Sequence, residues 1–184
     1  RLNHSVVNAA PIQGAEQDLL VPPYTLGAWL GDGTTACAQL TTADPEIVMR
    51  IEGEGGTDKS ALCTIGVVGD KHIPLQYLRA SEGQRRALLA GLLDTDGTVT
   101  NGGTVQFTVT NRRLSADVVE LIVSLGYRCQ VATKAVNGRS ELSSTAYLVN
   151  FFASDQVFGL HRKELLHKER RAASAARSHS RFIT

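Results

Sequence analysis

The sequence predicts an α+β protein built from two imperfect copies of one helix–strands–helix plan. Three observations carry this. Two short helices of small and apolar residues both end in Asp-Gly, at Asp32-Gly33 and Asp96-Gly97, 64 residues apart. Each is followed by strand-like sequence, Cys37 to Thr41 in the first copy and Thr104 to Thr110 in the second. In the latter, Val105, Phe107 and Val109 alternate with Gln106, Thr108 and Thr110, the pattern of a strand with one buried face. Finally, 42% hydrophobic and 20% charged residues in a chain of 184 suit one domain, or two small joined ones, with a true core. A repeated plan says more than any single motif.

The elements follow in order. Residues 1–22 read as loop, punctuated by Pro11, Gly14, Pro22 and Pro23. Pro22-Pro23 suits the first turn of a helix through Tyr24 to Leu30, and Gly31-Asp32-Gly33 ends it. Thr42 or Asp44 caps a helix over Pro45 to Ile51, and Gly53 to Ser60 is a loop. Ser81 with Gln84 three residues on forms a capping box for a helix running through Arg85 to Leu93 and ending at Asp94-Thr95-Asp96-Gly97. Leu114, Val118, Leu121, Ile122 and Leu125 have helical spacing, and Gly126 stops that helix. Tyr127 to Lys134 and Thr145 to Phe152 read as strands, joined by a loop with the turn dipeptide Asn137-Gly138. Phe158 to Ala176 reads as a basic final helix.

Charge is unevenly spread. Net charge is +1, yet residues 161–184 hold seven basic side chains against Glu164 and Glu169. A basic tail on a slightly acidic body fits a polyanion contact or a solvated helical face. No run of about 18 apolar residues exists to span a membrane. The N-terminal residues lack the apolar core of a signal peptide, so a cytoplasmic location is expected. Cys37, Cys63 and Cys129 form no metal pattern and are expected to be buried free thiols.

Several patterns fail as sites. Gly53 to Ser60 nearly spells a phosphate-binding loop, but Asp58 stands where glycine is needed. Asp94-Thr95-Asp96-Gly97 opens like a calcium loop, but Val99 and Val105 replace the required Gly and Glu. Asn3-His4-Ser5 lacks a secretory context for glycosylation. His161 and His167 are six apart, poor spacing for one helical face, and are expected on the surface.

The chemistry points to the two Asp-Gly ends. Gly27, Ala28 and Gly31 on one helix, and Ala90 and Gly91 on the other, allow close backbone approach. Side-by-side packing brings Asp32 and Asp96 together. Two close carboxylates repel unless a divalent cation lies between them, and hard oxygen ligands select Mg²⁺ or a similar ion. Such an arrangement suits in-line displacement at a phosphodiester.

Leu89-Ala90-Gly91-Leu92-Leu93-Asp94-Thr95-Asp96-Gly97 resembles the LAGLIDADG motif of homing endonucleases, and Thr25 to Gly33 resembles its first copy in the divergent form common in inteins. Lys71-His72-Ile73-Pro74 resembles the intein block before the second motif, and Asn111 to Leu114 through Ser124 to Tyr127 a later block. The resemblance covers most of residues 24–160. It implies the endonuclease domain of a bacterial intein, with a replicative DNA helicase as the suggested host.

The implied fold is two pseudo-symmetric αββαββα-like lobes, the first shortened, each sheet forming half of a saddle over double-stranded DNA. The implied division is 1–22 as a lead-in from the splicing domain and 23–80 and 81–160 as the two lobes. Residues 161–184 follow as a basic helix returning toward the splicing domain. Asp32 and Asp96 would bind Mg²⁺ with the backbone carbonyls of Gly31 and Thr95. Lys71 would polarise the attacking water or stabilise charge at the phosphate. The reaction would be double-strand hydrolysis at a long asymmetric site, leaving short 3′ overhangs. Both motif copies in one chain imply a monomer. From the residues themselves, Gln106, Thr108, Thr110, Arg128, Gln130, Lys134 and Arg139 are candidates to meet bases or phosphates, or form a solvated sheet face.

Two departures qualify the resemblance. Arg1 and Thr184 are not the terminal residues that splicing uses, so the endonuclease region alone is expected. Between Glu52 and Ala61 a strand pair has no room, so either the first lobe is trimmed or a loop near Gly55 to Lys59 is missing from the sequence as given. That leaves a DNA-binding module without cleavage as the alternative, and a purely structural insert as a third reading.

Overall fold

The computed structural model describes residues 9–34, 40, 42, 44–56, 59–136 and 144–180, with side chains to residue 174. Its centre is a pair of helices. In α1 (Pro23–Asp32) every residue from Tyr24 to Leu30 is buried, so this helix is apolar all round and lies inside the molecule. Its N-cap, Pro22, offers no side chain to the free N–H groups. Glu54 supplies the acceptor instead, taking hydrogen bonds from Thr25 N at 3.1 Å and Thr25 Oγ1 at 2.8 Å. Helix α5 (Glu82–Asp96) begins at the expected Ser81–Gln84 capping box.

The two helices touch through backbone. A Cβ on Gly27 would lie 2.1 Å from Leu88 O, and a Cβ on Gly91 would lie 2.1 Å from Tyr24 O. Residues 27 and 91, like 24 and 88, are 64 apart, so the packing obeys the same offset as the Asp-Gly ends. Glycine is required at both positions because only bare backbone fits there.

The second copy carries a sheet. β1 (Gly97–Val99), β2 (Val105–Val109), β3 (Cys129–Val136) and β4 (Ser144–Phe151) form an antiparallel sheet in the order β1-β2-β4-β3. Val105, Phe107, Val149 and Phe151 share one face and are buried. They meet α6 (Arg112–Ser124), capped by Asn111 and packed through Leu114, Val118, Leu121 and Ile122. Strand β1 and the short helix α4 (Leu75–Leu78) were not expected from the sequence.

The first copy is helical among the described residues. α2 (Pro45–Gly53), capped by Asp44, lays Ile47 and Ile51 on Tyr24, Ala28 and Leu160. α3 (Lys59–Thr64) starts inside the stretch expected to be loop. The expected strand over Cys37 to Thr41 lies outside the described residues except for Leu40, which pairs with Gly33 in a single bridge. So only the second of the two expected sheets is present among the described residues.

Residues 9–22 form no helix or strand, as expected, yet they are tied down as a strap. Ile12 N donates to Ser124 O, Gln84 Nε2 to Gln17 O, and Tyr77 Oη to Val21 O. The buried Arg85 guanidinium joins Ala80 O, Ser124 O and Ile12 O beneath it. Two expectations need correction. Cys63 is exposed and Cys129 half-buried, so the thiols described are not fully buried. His167, expected on the surface, is 0% exposed, while His161 is exposed as expected. Both histidines sit on α7 (His161–Ser180), and Glu164 and His167 occupy its inner side, where periodicity in so polar a helix gives no warning.

Candidate active site and nucleic-acid interface

The parallel helix ends place Asp32 and Asp96 at one end of the α1–α5 pair, and both residues keep an open side to solvent. They feel each other. Asp96 is held above the ordinary carboxylate range, first by desolvation and then by the charge of Asp32. Thr95 Oγ1 fills the space beside Gly31 and donates to Leu92 O at 3.0 Å, which locks the residue next to Asp96.

Two lysines close the helix ends. Lys71 is nearly buried. Its Nζ donates to Leu30 O at 2.9 Å and Gly31 O at 3.4 Å, and lies 5.3 Å from the centre of the Trp29 ring. Burial lowers its pKa, while Asp96 and Asp32 hold it up. Lys163, on α7, does the same for α5: its Nζ donates to Leu93 O at 2.9 Å, Gly97 O at 2.8 Å and Thr95 O at 3.4 Å. Burial lowers its pKa too, with Asp94 and Asp96 among the charges opposing. A cation at a helix C-terminus satisfies free carbonyls and the helix dipole. Sequence reasoning named Lys71 and missed Lys163, which was one basic residue among seven in the tail.

The neighbouring carboxylate of the motif has a different task. Asp94 is buried and accepts from Tyr24 Oη at 2.8 Å and from the backbone N–H groups of Gly159 and Leu160 at 3.0 Å. It ties α5 to the start of α7. Desolvation raises its pKa against those hydrogen bonds. The motif therefore contains one structural and one solvent-facing carboxylate.

The residues fit a hard divalent ion. Asp32 and Asp96 offer carboxylate oxygens, and Gly31 O and Thr95 O, each taking only a long 3.4 Å hydrogen bond from a lysine, keep a lone pair at the same helix ends. Among the described residues no cluster of three or more His, Cys, Asp or Glu side chains gathers that could hold a metal. An ion at this pair would complete its shell with water and substrate oxygens, as Mg²⁺ does.

A cleft of about 320 Å³ opens in front of Lys71 and Asp96 and is also lined by Thr108, Thr110 and Asn111. Thr108 is the outward residue of β2, so the cleft runs into the polar side of the sheet. The strand register puts Gln106, Asn150 and Gln130 abreast on that side, with Lys134 further along β3 and Arg128 exposed just before it. The structure thus brings six of the seven expected contact residues to one side of the second copy. Arg139 lies outside the described residues. Asn150 was not singled out from sequence, because it follows the apolar run Ala146–Val149 in β4.

Among the described residues no helix is long and apolar enough to cross a membrane. Residues 72–177 match the profile of a family described as homing endonuclease. The whole chain is 65% identical over 188 aligned residues to a replicative DNA helicase DnaB of Mycobacterium intracellulare, and spans 32% of that protein. The alignment, 188 positions for 184 residues, leaves space for no long insertion in that relative.

Proposed function

The chain belongs to the homing endonuclease family, and from that premise we propose that it is a LAGLIDADG-type, Mg²⁺-dependent endonuclease that hydrolyses both strands of duplex DNA at a long asymmetric site. We further propose that it serves as the homing domain of an intein in a replicative helicase, acts as a monomer, and takes the intein-free host gene as its target. The observation that supports cleavage is the cleft shared by Asp96, Lys71 and the polar side of β2, because a strand of DNA laid along that side reaches Asp96.

In this reading Asp32, Asp96 and the carbonyls of Gly31 and Thr95 hold Mg²⁺. The ion, when bound, neutralises phosphate charge and favours attack by water. Lys71, anchored by Leu30 O and the Trp29 ring, holds a positive charge at the mouth of the cleft, where it donates to a phosphate oxygen or to the entering water. Lys163 holds a matching charge beside Asp96. The water oxygen bonds to phosphorus, one ester P–O bond breaks, and the departing sugar oxygen takes a proton. Gln106, Thr108, Thr110, Arg128, Gln130 and Lys134 position the duplex.

A second reading, a binding module without cleavage, is favoured by the first copy, which has no strand pairing among the described residues beyond Gly33–Leu40. One experiment separates the two. A plasmid carrying the uninterrupted host gene is incubated with the protein in Mg²⁺ or EDTA, beside Asp96→Asn. Metal-dependent linearisation that the variant loses supports the endonuclease. Specific retardation of intact plasmid supports the binding module.

A further inference from the structure

The polar side of the sheet holds a row of three amides. Gln106 on β2, Asn150 on β4 and Gln130 on β3 are successive register partners. Strands lie about 4.8 Å apart, so the row spans roughly 10 Å, within the width of a DNA major groove. Its members are not independent. Gln106 Nε2 donates to Asn150 Oδ1 at 2.7 Å, and Asn150 Nδ2 donates to Leu148 O at 3.2 Å. These bonds fix which way the Gln106 amide points. They leave Oε1 as an acceptor and the second Nε2 hydrogen as a donor.

A donor beside an acceptor matches the major-groove edge of adenine, which offers N6–H and N7. The other end of the row opens into a cavity of about 520 Å³ lined by Arg128, Gln130, Asn150 and Phe152. Phe152 is 56% exposed there, an apolar surface of the kind that meets a thymine methyl. Arg128 beside it suits a phosphate.

We propose that Gln106, Asn150 and Gln130 form an adenine-reading row, in which Gln106, oriented by Asn150, pairs in bidentate fashion with adenine N6 and N7 in the target's major groove. The inference rests on the DNA-cleaving reading above, and it names base pairs that this side of the protein selects. Asn150 is a positioning residue for Gln106, and Phe152, toward the Gln130 end, contacts the methyl of a neighbouring thymine.

The test is selection of duplexes from a randomised oligonucleotide library by the full chain in EDTA, so that DNA is bound and not cut. The expected result is enriched sites with A·T pairs at fixed positions. Gln106→Ala and Asn150→Ala should lower the preference for adenine by about 5- to 150-fold at the same position, leaving other positions unchanged. Gln130→Arg should shift its own position toward guanine, a gain that altered folding does not produce. Unchanged adenine preference in both alanine variants, or enriched sites without adenine, overturns the proposal and leaves the DNA-cleaving reading intact. If the parent chain binds no duplex at all, both readings fall.

Discussion

Asp96 is held above the ordinary carboxylate range by desolvation and by Asp32. A carboxyl raised in this way contributes stability below the usual range near pH 4 that is lost as pH rises through the elevated value. At neutral pH without a divalent ion the ionised form of Asp96 therefore costs stability. Asp96→Asn should melt at a higher temperature than the parent in EDTA at neutral pH, read by calorimetry, while losing cleavage. Added Mg²⁺ should raise the melting temperature of the parent and leave the variant nearly unmoved; a variant less stable than the parent in EDTA would sink this account. The lysines have a kinetic signature. Lys71→Met and Lys163→Met keep the apolar stem and remove the charge, so each should lower the cleavage rate about 100-fold with little change in DNA affinity. Equal rates in parent and Lys163→Met would remove Lys163 from the site. Lys71 was legible because it stands in the recognisable block Lys71-His72-Ile73-Pro74. Lys163 was not, since only the path of α7 turns it, and not Lys168, toward the end of α5.

Between elements, backbone contact of α1 with α5 is the tightest constraint. Gly91→Ala pushes a methyl into Tyr24 O and forces the helices apart. Overpacking of this kind costs about 1–3 kcal/mol, measurable as a shift in the urea midpoint. The capping box of α5 and the cap of α2 were readable because a cap depends on residues two or three positions apart. Helix α7 was not readable in this way. Its inner side carries Glu164 and His167 while Leu165 and Leu166 are exposed, the reverse of an ordinary amphipathic pattern. His167 Nδ1 lies 3.8 Å from Glu164 Oε2, and its ring meets Phe158 edge-on. Burial holds its pKa below the usual 6.5, with Arg171 adding to the effect and Glu164 and Asp155 opposing it. A depressed histidine contributes stability above that value that is lost as the pH falls, because the unfolded chain takes up the proton first. Unfolding free energy should thus decline between about pH 7 and pH 5, and His167→Leu should flatten that slope. An unchanged slope would show that other groups carry it.

For the molecule as a whole, the asymmetry between copies is the functional issue. The second copy offers a four-stranded sheet whose polar side leads to the carboxylates, whereas the described part of the first copy offers helices α1 to α3. Duplex DNA should be protected from nuclease digestion further on one side of the cut than on the other. A footprint symmetric about the cut would mean that the first copy holds DNA as extensively as the second. Affinity should also fall with salt, since Arg128 and Lys134 meet phosphate in this reading.

Local sequence sufficed for the two Asp-Gly helix ends, their 64-residue offset, the Lys71 block, the alternation of β2 and most helix starts. These depend on neighbours a few positions apart, or on a repeat visible along the chain. Packing of distant segments settles which motif carboxylate is buried, which tail lysine meets Thr95, which histidine leaves solvent, and that Gln106 is paired. The decisive contacts join residues far apart in sequence: Tyr24 to Asp94 across 70 positions, Lys163 to Thr95 across 68, and Gln106 to Asn150 across 44. Such partners are chosen by helix packing and strand register, and no local pattern encodes them.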